Sequence, residues 1–542
     1  MTSRDALLKP GPLFATIAAF GILAATMAPG LAWRHFGDDG GELILASVFL
    51  GVAHPAGCPA YLFLGKLFSL LPGTATAWKF NLLSVCAGSL AVGAITALLG
   101  SLNTRYHWSL GPWSRTAIGL LIGLNPALWS QSVITEVYAP ATAFALWGLV
   151  GVFSWAERRR HGGTGAGWLA AAAACFGLAA GIHLLTLFLL PGLLVLVMGA
   201  DPGCWRRPSF WTALLIGTGL TVMLYASLPV LATRLAPVNW SYIRTPSDFL
   251  DHLTGQQYRY RMLALTGRES LERLSVKTLP YVRDGWGSIG LLLLALGLFR
   301  AWRAALTNPD GEYRERLMRD GAGWALLLLV PGYYIMQYSI DDWFPYTCLP
   351  FCLAGLLLPW GWLAVTDLAG RLVARKDRLR SAISLAIMIH AAVMIAANAP
   401  AMSMAGEREP DRWAQGVMAG VASESLIISD YDGRTNALMY HARLGPSPRP
   451  DVIVVLRSML AKSWYRDHLR RIYPALVLPE PNAIELGMAW DDLCNAVARS
   501  ILLKNADRPL YTVARRPEVT GSLALSQEYG IYRIMPEIYG GE

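Results

Sequence analysis

The sequence predicts a polytopic α-helical membrane protein of about eleven transmembrane helices, followed by a small C-terminal α/β domain outside the bilayer. Three observations carry this. Apolar runs of about 20 residues, the length that crosses a bilayer, recur through residues 1–404. Only 15% of the chain is charged, against roughly 25% in soluble domains, and 20 Trp supply interfacial anchors. Beyond residue 404, short β-rich runs alternate with helical patterns.

The spans fall near 13–33, 78–100, 116–133, 137–156, 210–233, 286–304, 322–340, 344–366 and 381–399. Two shorter helices fit between 167 and 200 as a hairpin broken near Gly181-Ile182-His183. The first run ends in small residues, as a signal peptide does, but its length and the spans that follow favour an uncleaved helix. With the N-terminus inside, Arg105, Arg115, Arg158–Arg160, Arg206, Arg207 and the basic clusters near 300–319 and 371–380 all fall on inner loops. That is the positive-inside pattern, and it puts the acidic loop 34–77 and the tail outside. The loop 234–285 dissents: it falls outside yet holds eight Lys+Arg against five Asp+Glu.

The tail, 405–542, carries strand-like runs at Leu426–Ser429, Asp451–Leu456, Leu510–Val513 and Gly530–Ile534, with helical patterns between, so a mostly parallel sheet is expected. No glycine-rich nucleotide fingerprint follows any of them. Net charge is +9, and the excess lies in the membrane part, with 30 Lys+Arg and 20 Asp+Glu against 16 and 17 in the tail. A basic excess on inner loops reads as topology and excludes a nucleic-acid partner. Seven Cys show no metal-binding spacing; Cys58 and Cys494 both fall on the outer side, and nothing in the sequence pairs them.

Chemistry points to the first outer loop, Asp38-Asp39-Gly40-Gly41-Glu42. Three carboxylates pinned at a membrane face are costly unless a site uses them. Asp39 and Glu42 share a face if a helix starts here, and the two glycines allow a ligand close to the backbone. The competing reading is a capping box, with Asp39 as N-cap and Glu42 as its reciprocal partner. His54 precedes Pro55 and Gly57, so it sits on a turn and is suited to orienting a phosphate or carboxylate. Glu136 and Tyr138 lie at an outer helix end on the same side as Asp39, while His183 fits a hydrogen-bonded packing role within the hairpin. In the dissenting loop, Asn239-Trp240 and Gln256-Gln257-Tyr258-Arg259-Tyr260-Arg261 interleave guanidinium forks, suited to a phosphate, with rings suited to a sugar. Against that stands an interfacial helix with snorkelling Arg and belt Tyr.

Several of these motifs in order resemble a large prokaryotic membrane family described as protein O-mannosyltransferase-like. They are Asp39-Gly40-Gly41-Glu42; Gly51-Val52-Ala53-His54-Pro55-Ala56-Gly57-Cys58-Pro59-Ala60-Tyr61; Asn81-Leu82-Leu83-Ser84; Glu136-Val137-Tyr138; Gly181-Ile182-His183-Leu184; Pro237-Val238-Asn239-Trp240; and Thr254-Gly255-Gln256-Gln257-Tyr258. The family is similar to the GT-C glycosyltransferases, polytopic enzymes with an acidic first external loop and a polyprenyl- or dolichyl-phosphate sugar donor. By that resemblance Asp39 is the candidate base, Glu42 its neighbour, and the outer Arg and Gln residues the donor-phosphate site. The chain departs from the family in having Gly40 where Ser is usual and an extra Asp38 in front, so the base is either Asp38 or Asp39.

The reading is an inverting, lipid-phosphate-sugar-dependent glycosyltransferase of a bacterial inner membrane, active on the periplasmic side. Its partners are a polyprenyl-phosphate sugar, with mannose implied by the family, an acceptor hydroxyl on protein, lipid or glycan, and the bilayer. No cofactor is required by the sequence, and a divalent metal is left open. Two other classes compete. A transporter or flippase would place its acids mid-span and repeat the motif in a second half. A scaffold with a binding tail would tolerate loss of Asp39.

Overall fold

The computed structural model describes residues 10–73, 75–373, 375–479 and 488–535. Every apolar run named above is helical over most of its length. Among the described residues, six helices are long and apolar enough to cross a membrane: Thr76–Arg105, Tyr138–Arg160, Pro208–Ala232, Gly267–Thr307, Phe344–Ala369 and Lys376–Met402. Pro10–Thr26, Ala166–Ile182 and Leu184–Ala200 are shorter apolar helices. The molecule is a multi-pass membrane protein.

Departures from the expected boundaries have local causes. The first helix stops at Thr26 rather than near residue 33, because Pro29-Gly30 cannot continue it. The run at 116–133 divides into Pro112–Gly123 and Pro126–Ser132. At that break Asn125 caps the second piece, accepting hydrogen bonds from the backbone of Ala127 and Leu128, with Pro126 at the first helical position. The hairpin breaks at His183, as expected.

Burial sorts the helices into layers. The most apolar windows of Thr76–Arg105 and Tyr138–Arg160 are 83% and 89% buried, so these two form the bundle centre. The corresponding windows of Pro208–Ala232, Gly267–Thr307 and Lys376–Met402 are about one-fifth buried or less, with apolar side chains such as Leu215, Val222, Leu298 and Val393 exposed. An apolar surface of that extent fits a helix facing lipid. A buried ion pair joins Thr76–Arg105 to the helix Gly311–Gln337. Arg105 grips both oxygens of Asp320 at 2.6 and 2.8 Å, and the Tyr106 hydroxyl donates to the same carboxylate.

In the tail, five strands run β1 (Leu426–Ser429), β2 (Ile453–Leu456), β3 (Leu510–Thr512), β4 (Leu525–Glu528) and β5 (Ile531–Ile534), in the order β2-β1-β3-β5-β4. Strand β1 pairs parallel with β2 and β3, whereas β5 pairs antiparallel with β3 and β4. The sheet is therefore mixed, not mostly parallel. Tyr529-Gly530, two consecutive residues at positive φ, make the two-residue hairpin that joins β4 and β5.

The tail does not stand apart from the helices. Its helix Asp432–Leu444 lies on the first outer loop. The Asn436 amide donates to the Asp38 carbonyl at 2.9 Å, Trp33 Nε1 donates to the Gly433 carbonyl at 3.1 Å, and Ala77 N–H donates to the Tyr440 hydroxyl at 3.1 Å. A Cβ on Gly41 would collide with the Asn436 carbonyl, and one on Gly433 with the Asp38 carboxylate. Gly41 thus serves close packing of the tail rather than approach of a ligand.

Candidate active site

The first outer loop folds into a 3-10 turn, Arg34–Asp39, running into the short helix Gly40–Phe49. Asp39 occupies the N-cap position, but its side chain makes no capping hydrogen bond. Glu42 does not reach back to form a capping box either. Its Oε1 accepts the backbone N–H of His54 at 2.7 Å and lies 3.0 Å from His54 Nδ1. The other ring nitrogen, Nε2, stands 3.8 Å from Asp39 Oδ2. One imidazole therefore spans both carboxylates of the loop.

These groups open onto a cavity of about 1000 Å³. The Asp39 side chain is 37% exposed, and the surface it exposes lines this cavity, whereas that of Glu42 is 5% exposed, with Oε1 engaged by His54. Burial raises the Asp39 carboxyl to about 7; His54 opposes the rise, and Glu42 and Asp432 add to it. Burial alone would lower the His54 imidazolium, but Glu42 and Asp39 outweigh it and hold it near 10. His54 is therefore a cation at neutral pH, locked between its two acids.

Nine residues singled out from the sequence line this cavity: Asp39, Glu42, His54, Glu136, Tyr138, His183, Trp240, Tyr258 and Arg261. His183 is also held as a packing histidine, its Nδ1 accepting the Leu185 N–H while its ring meets Tyr138 and Tyr346. Trp240 lies edge-on to His54 and meets Trp464 of the tail.

Five others lie outside the lining. Asp38 is exposed beneath Gly433, beside the tail helix. Asn239 is buried and donates to the carbonyls of Ala232 and Arg234, closing its own loop. Gln256 and Arg259 point outward, Arg259 reaching only Thr254 at 3.4 Å, and Gln257 sits half-buried on the same 3-10 turn. The cation excess of the dissenting loop divides among several uses. Arg273 is buried and donates to the carbonyls of Ile335, Tyr338 and Ile340, Arg244 lies over the Tyr242 ring, and Arg261 alone of the eight lines the cavity.

Sequence reasoning missed Asp342, Asp432, Asn436, Tyr338 and Tyr346, all of which line the cavity. Asp341-Asp342 carries the same signal as Asp38-Asp39, paired acids at the outer end of an apolar run. Asp432 stands in the tail segment Asp430-Tyr431-Asp432, a recognisable motif with nothing local to place it in this site. It arrives with the tail, and burial raises its carboxyl to about 6, with Glu42 and Asp38 adding to the rise.

The cavity has two characters. Leu184, Leu187, Phe188, Val222, Tyr225 and Pro229 form an apolar wall on the helices that face lipid, while the acids gather at the end made by the first loop and the tail. Asp39, Glu42 and His54 each offer a ligand atom within 4.8 Å of the others, so this trio fits a divalent ion. Such an ion would replace the proton on His54 and neutralise both acids.

Residues 39–202 match the family described as the Protein O-mannosyl-transferase TMEM260 N-terminal domain. A Protein O-mannosyl-transferase tmem260 of Dictyostelium discoideum is 27% identical over 48% of this chain and 33% of its own length. A Protein O-mannosyl-transferase TMEM260 of Mus musculus is 22% identical over 87% of this chain and 66% of its own length. The chain thus spans less than two thirds of either relative. Among solved structures, ArnT from Cupriavidus metallidurans, crystallised with undecaprenyl phosphate, superposes with a TM-score of 0.60 at 13% identity, covering 98% of each chain. Its apo form gives the same score over 96% of this chain and 97% of its own. The family match and both relatives are thus protein O-mannosyl-transferases, and the likeness to ArnT is one of fold.

Proposed function

We propose that this chain transfers a sugar, with inversion, from a polyprenyl-phosphate donor to an acceptor hydroxyl at the outer membrane face. The observation that carries this is the position of Asp39. Of the two first-loop carboxylates that line the cavity, Asp39 is the exposed one, 37% against 5% for Glu42, and it stands 3.8 Å from His54 Nε2, whereas Glu42 Oε1 is taken up by the His54 backbone N–H and ring.

Direct displacement needs a base that accepts the hydroxyl proton as the oxygen attacks the sugar. Asp39 takes that role, and the Glu42–His54 pair fixes its surroundings. Arg261, reaching the cavity from the outer loop, holds the leaving phosphate, because a guanidinium fork engages two phosphate oxygens together. The apolar wall opposite takes the first isoprenyl units. If the Asp39, Glu42 and His54 trio holds a divalent ion, that ion supplies charge stabilisation next to the phosphate.

The names of the sequence relatives favour mannose as the sugar and a protein hydroxyl as the acceptor. The undecaprenyl phosphate seen with the fold neighbour favours a polyprenyl carrier. The topology that goes with this reading has eleven spans, the N-terminus inside, and the catalytic region 1–404 and the tail 405–542 meeting on the periplasmic side of a bacterial inner membrane.

Membranes containing the protein, incubated with a panel of radiolabelled polyprenyl-phosphate sugars, test the proposal. Transfer from one of them, lost in Asp39→Asn, is the expected result. Equal transfer by wild type and Asp39→Asn would sink it.

A further inference from the structure

We infer that the acceptor carries a positive charge next to its reactive hydroxyl, and that Asp432 of the C-terminal segment reads that charge. The inference rests on the transferase reading above and names the acceptor class for the same cavity.

Five carboxylates line the cavity: Asp39, Glu42, Glu136, Asp342 and Asp432. They come from widely separated parts of the chain, the first loop, the start of the helix Tyr138–Arg160, the turn before Phe344, and the tail. Among the described residues, His54 and Arg261 are the basic groups lining the same space apart from His183. Arg261 donates to the Tyr260 hydroxyl and has Asp341 as its nearby acid, so it does not compensate the five. His54 is committed to Asp39 and Glu42.

A divalent ion does not remove the imbalance. The cluster whose ligand atoms approach within 4.8 Å comprises Asp39, Glu42 and His54, so Glu136, Asp342 and Asp432 lie beyond it. Glu136 shows that this is more than a solvated acidic face. It is 3% exposed, lines the cavity, and spends one oxygen on the neighbouring Val137 N–H at 3.2 Å. Among the described residues no cation lies within ion-pair distance of it. Burial and the nearby Asp39 raise its carboxyl well above the ordinary range, with His54 opposing, and a cation entering the cavity would stabilise its ionised form.

Asp432 is placed to make the first such contact. It is exposed, lines the cavity, and opens the helix Asp432–Leu444. Its neighbour Gly433 is fixed by the Trp33 hydrogen bond and by contact with Asp38, so the carboxylate is held by the loop that carries the base. The matching acceptor is a Ser or Thr with a Lys or Arg beside it. An anionic flank would meet like charge, which penalises the wrong partner more than it rewards the right one.

The test uses full-length protein in proteoliposomes, one donor, and three peptides whose single Ser is flanked by Lys, Gln or Glu. The expected kcat/KM is on the order of tenfold or more higher for the Lys peptide than for the Glu peptide. Asp432→Asn should flatten the preference and Asp432→Lys should reverse it, with donor KM unchanged in both. Asp39-dependent transfer that ignores acceptor charge, or a Lys preference that survives Asp432→Lys, overturns the inference and leaves the transferase reading standing. A preference that appears only with an added divalent ion and vanishes with chelator while turnover persists assigns the charge deficit to the ion, and also overturns it. Absence of transfer to every acceptor tried overturns both readings.

Discussion

His54 bridges Glu42 and Asp39, with Nδ1 3.0 Å from one carboxylate and Nε2 3.8 Å from the other. The bridge explains how Asp39 and Glu42 can stand together. Under the proposed mechanism their roles differ: Glu42 orients the ring, and Asp39, the more exposed of the two, is the base. Replacing Glu42 by Gln keeps the shape but removes the charge that holds the imidazolium. We expect kcat to fall about 10- to 100-fold with donor KM nearly unchanged, the pattern of a positioning residue. A rise in donor KM with kcat intact would place Glu42 in substrate binding instead.

Asp39→Asn should lower turnover on the order of 10²–10⁴-fold. Asp38→Asn should cost little, because Asp38 is exposed beneath the tail helix and outside the cavity lining. Loss of activity in Asp38→Asn with a normal Asp39→Asn would reverse the assignment.

The pH profile follows from burial. A base must be deprotonated to work, and the Asp39 carboxyl is raised to about 7. Activity limited by Asp39 should therefore climb as pH rises through about 7 and level off above it, rather than saturating near 5 as for an ordinary carboxylate. Steady-state kcat/KM between pH 5 and 9 measures this. A flat profile across that range excludes Asp39 as the titrating base.

The two outer arginines should behave differently. Arg261 lines the cavity, while Arg259 reaches only Thr254 from an exposed position. Arg261→Lys keeps the charge and loses the fork, so donor KM should rise about tenfold, and Arg261→Ala should be worse. Arg259→Lys should leave donor kinetics unchanged. Equal sensitivity at both sites would show that the loop rearranges around the donor.

Gly41→Ala tests whether the tail docks on the first loop as described. The added methyl meets the Asn436 carbonyl, and overpacking of this kind costs about 1–3 kcal/mol. The helix Asp432–Leu444 should become more accessible to protease in the variant while the membrane helices stay folded. Unchanged protection would mean that the interface yields easily there.

The apolar helices, the broken hairpin at His183 and the acidic first loop were legible in the sequence, because each is a local property. The described residues, however, give six helices of spanning length and three shorter apolar ones where eleven spans were expected. An apolar run of bilayer length has few other uses, and acids crowded at its outer end are conspicuous in any arrangement of the helices. Length and composition could not set the boundary at Thr26 or the break at Asn125, which depend on single Pro and Asn residues. Nor did strand-like runs reveal that β5 pairs antiparallel with β3, a long-range pairing that no local pattern sets.

Tertiary structure alone decided how the acids divide their work. Asp38 and Asp39 are neighbours of the same type, yet packing of the tail helix leaves one outside the cavity and the other in it. Arg259 and Arg261 differ only by which side of a 3-10 turn they occupy. Asp342 and Asp432 lie far from the first loop in sequence and reach the cavity only because the helices and the tail close around it. Sequence determines which residues a site can be built from where the signal is local. Which of them share a cavity, and which charge is left uncompensated there, depends on contacts hundreds of residues apart that no local pattern encodes.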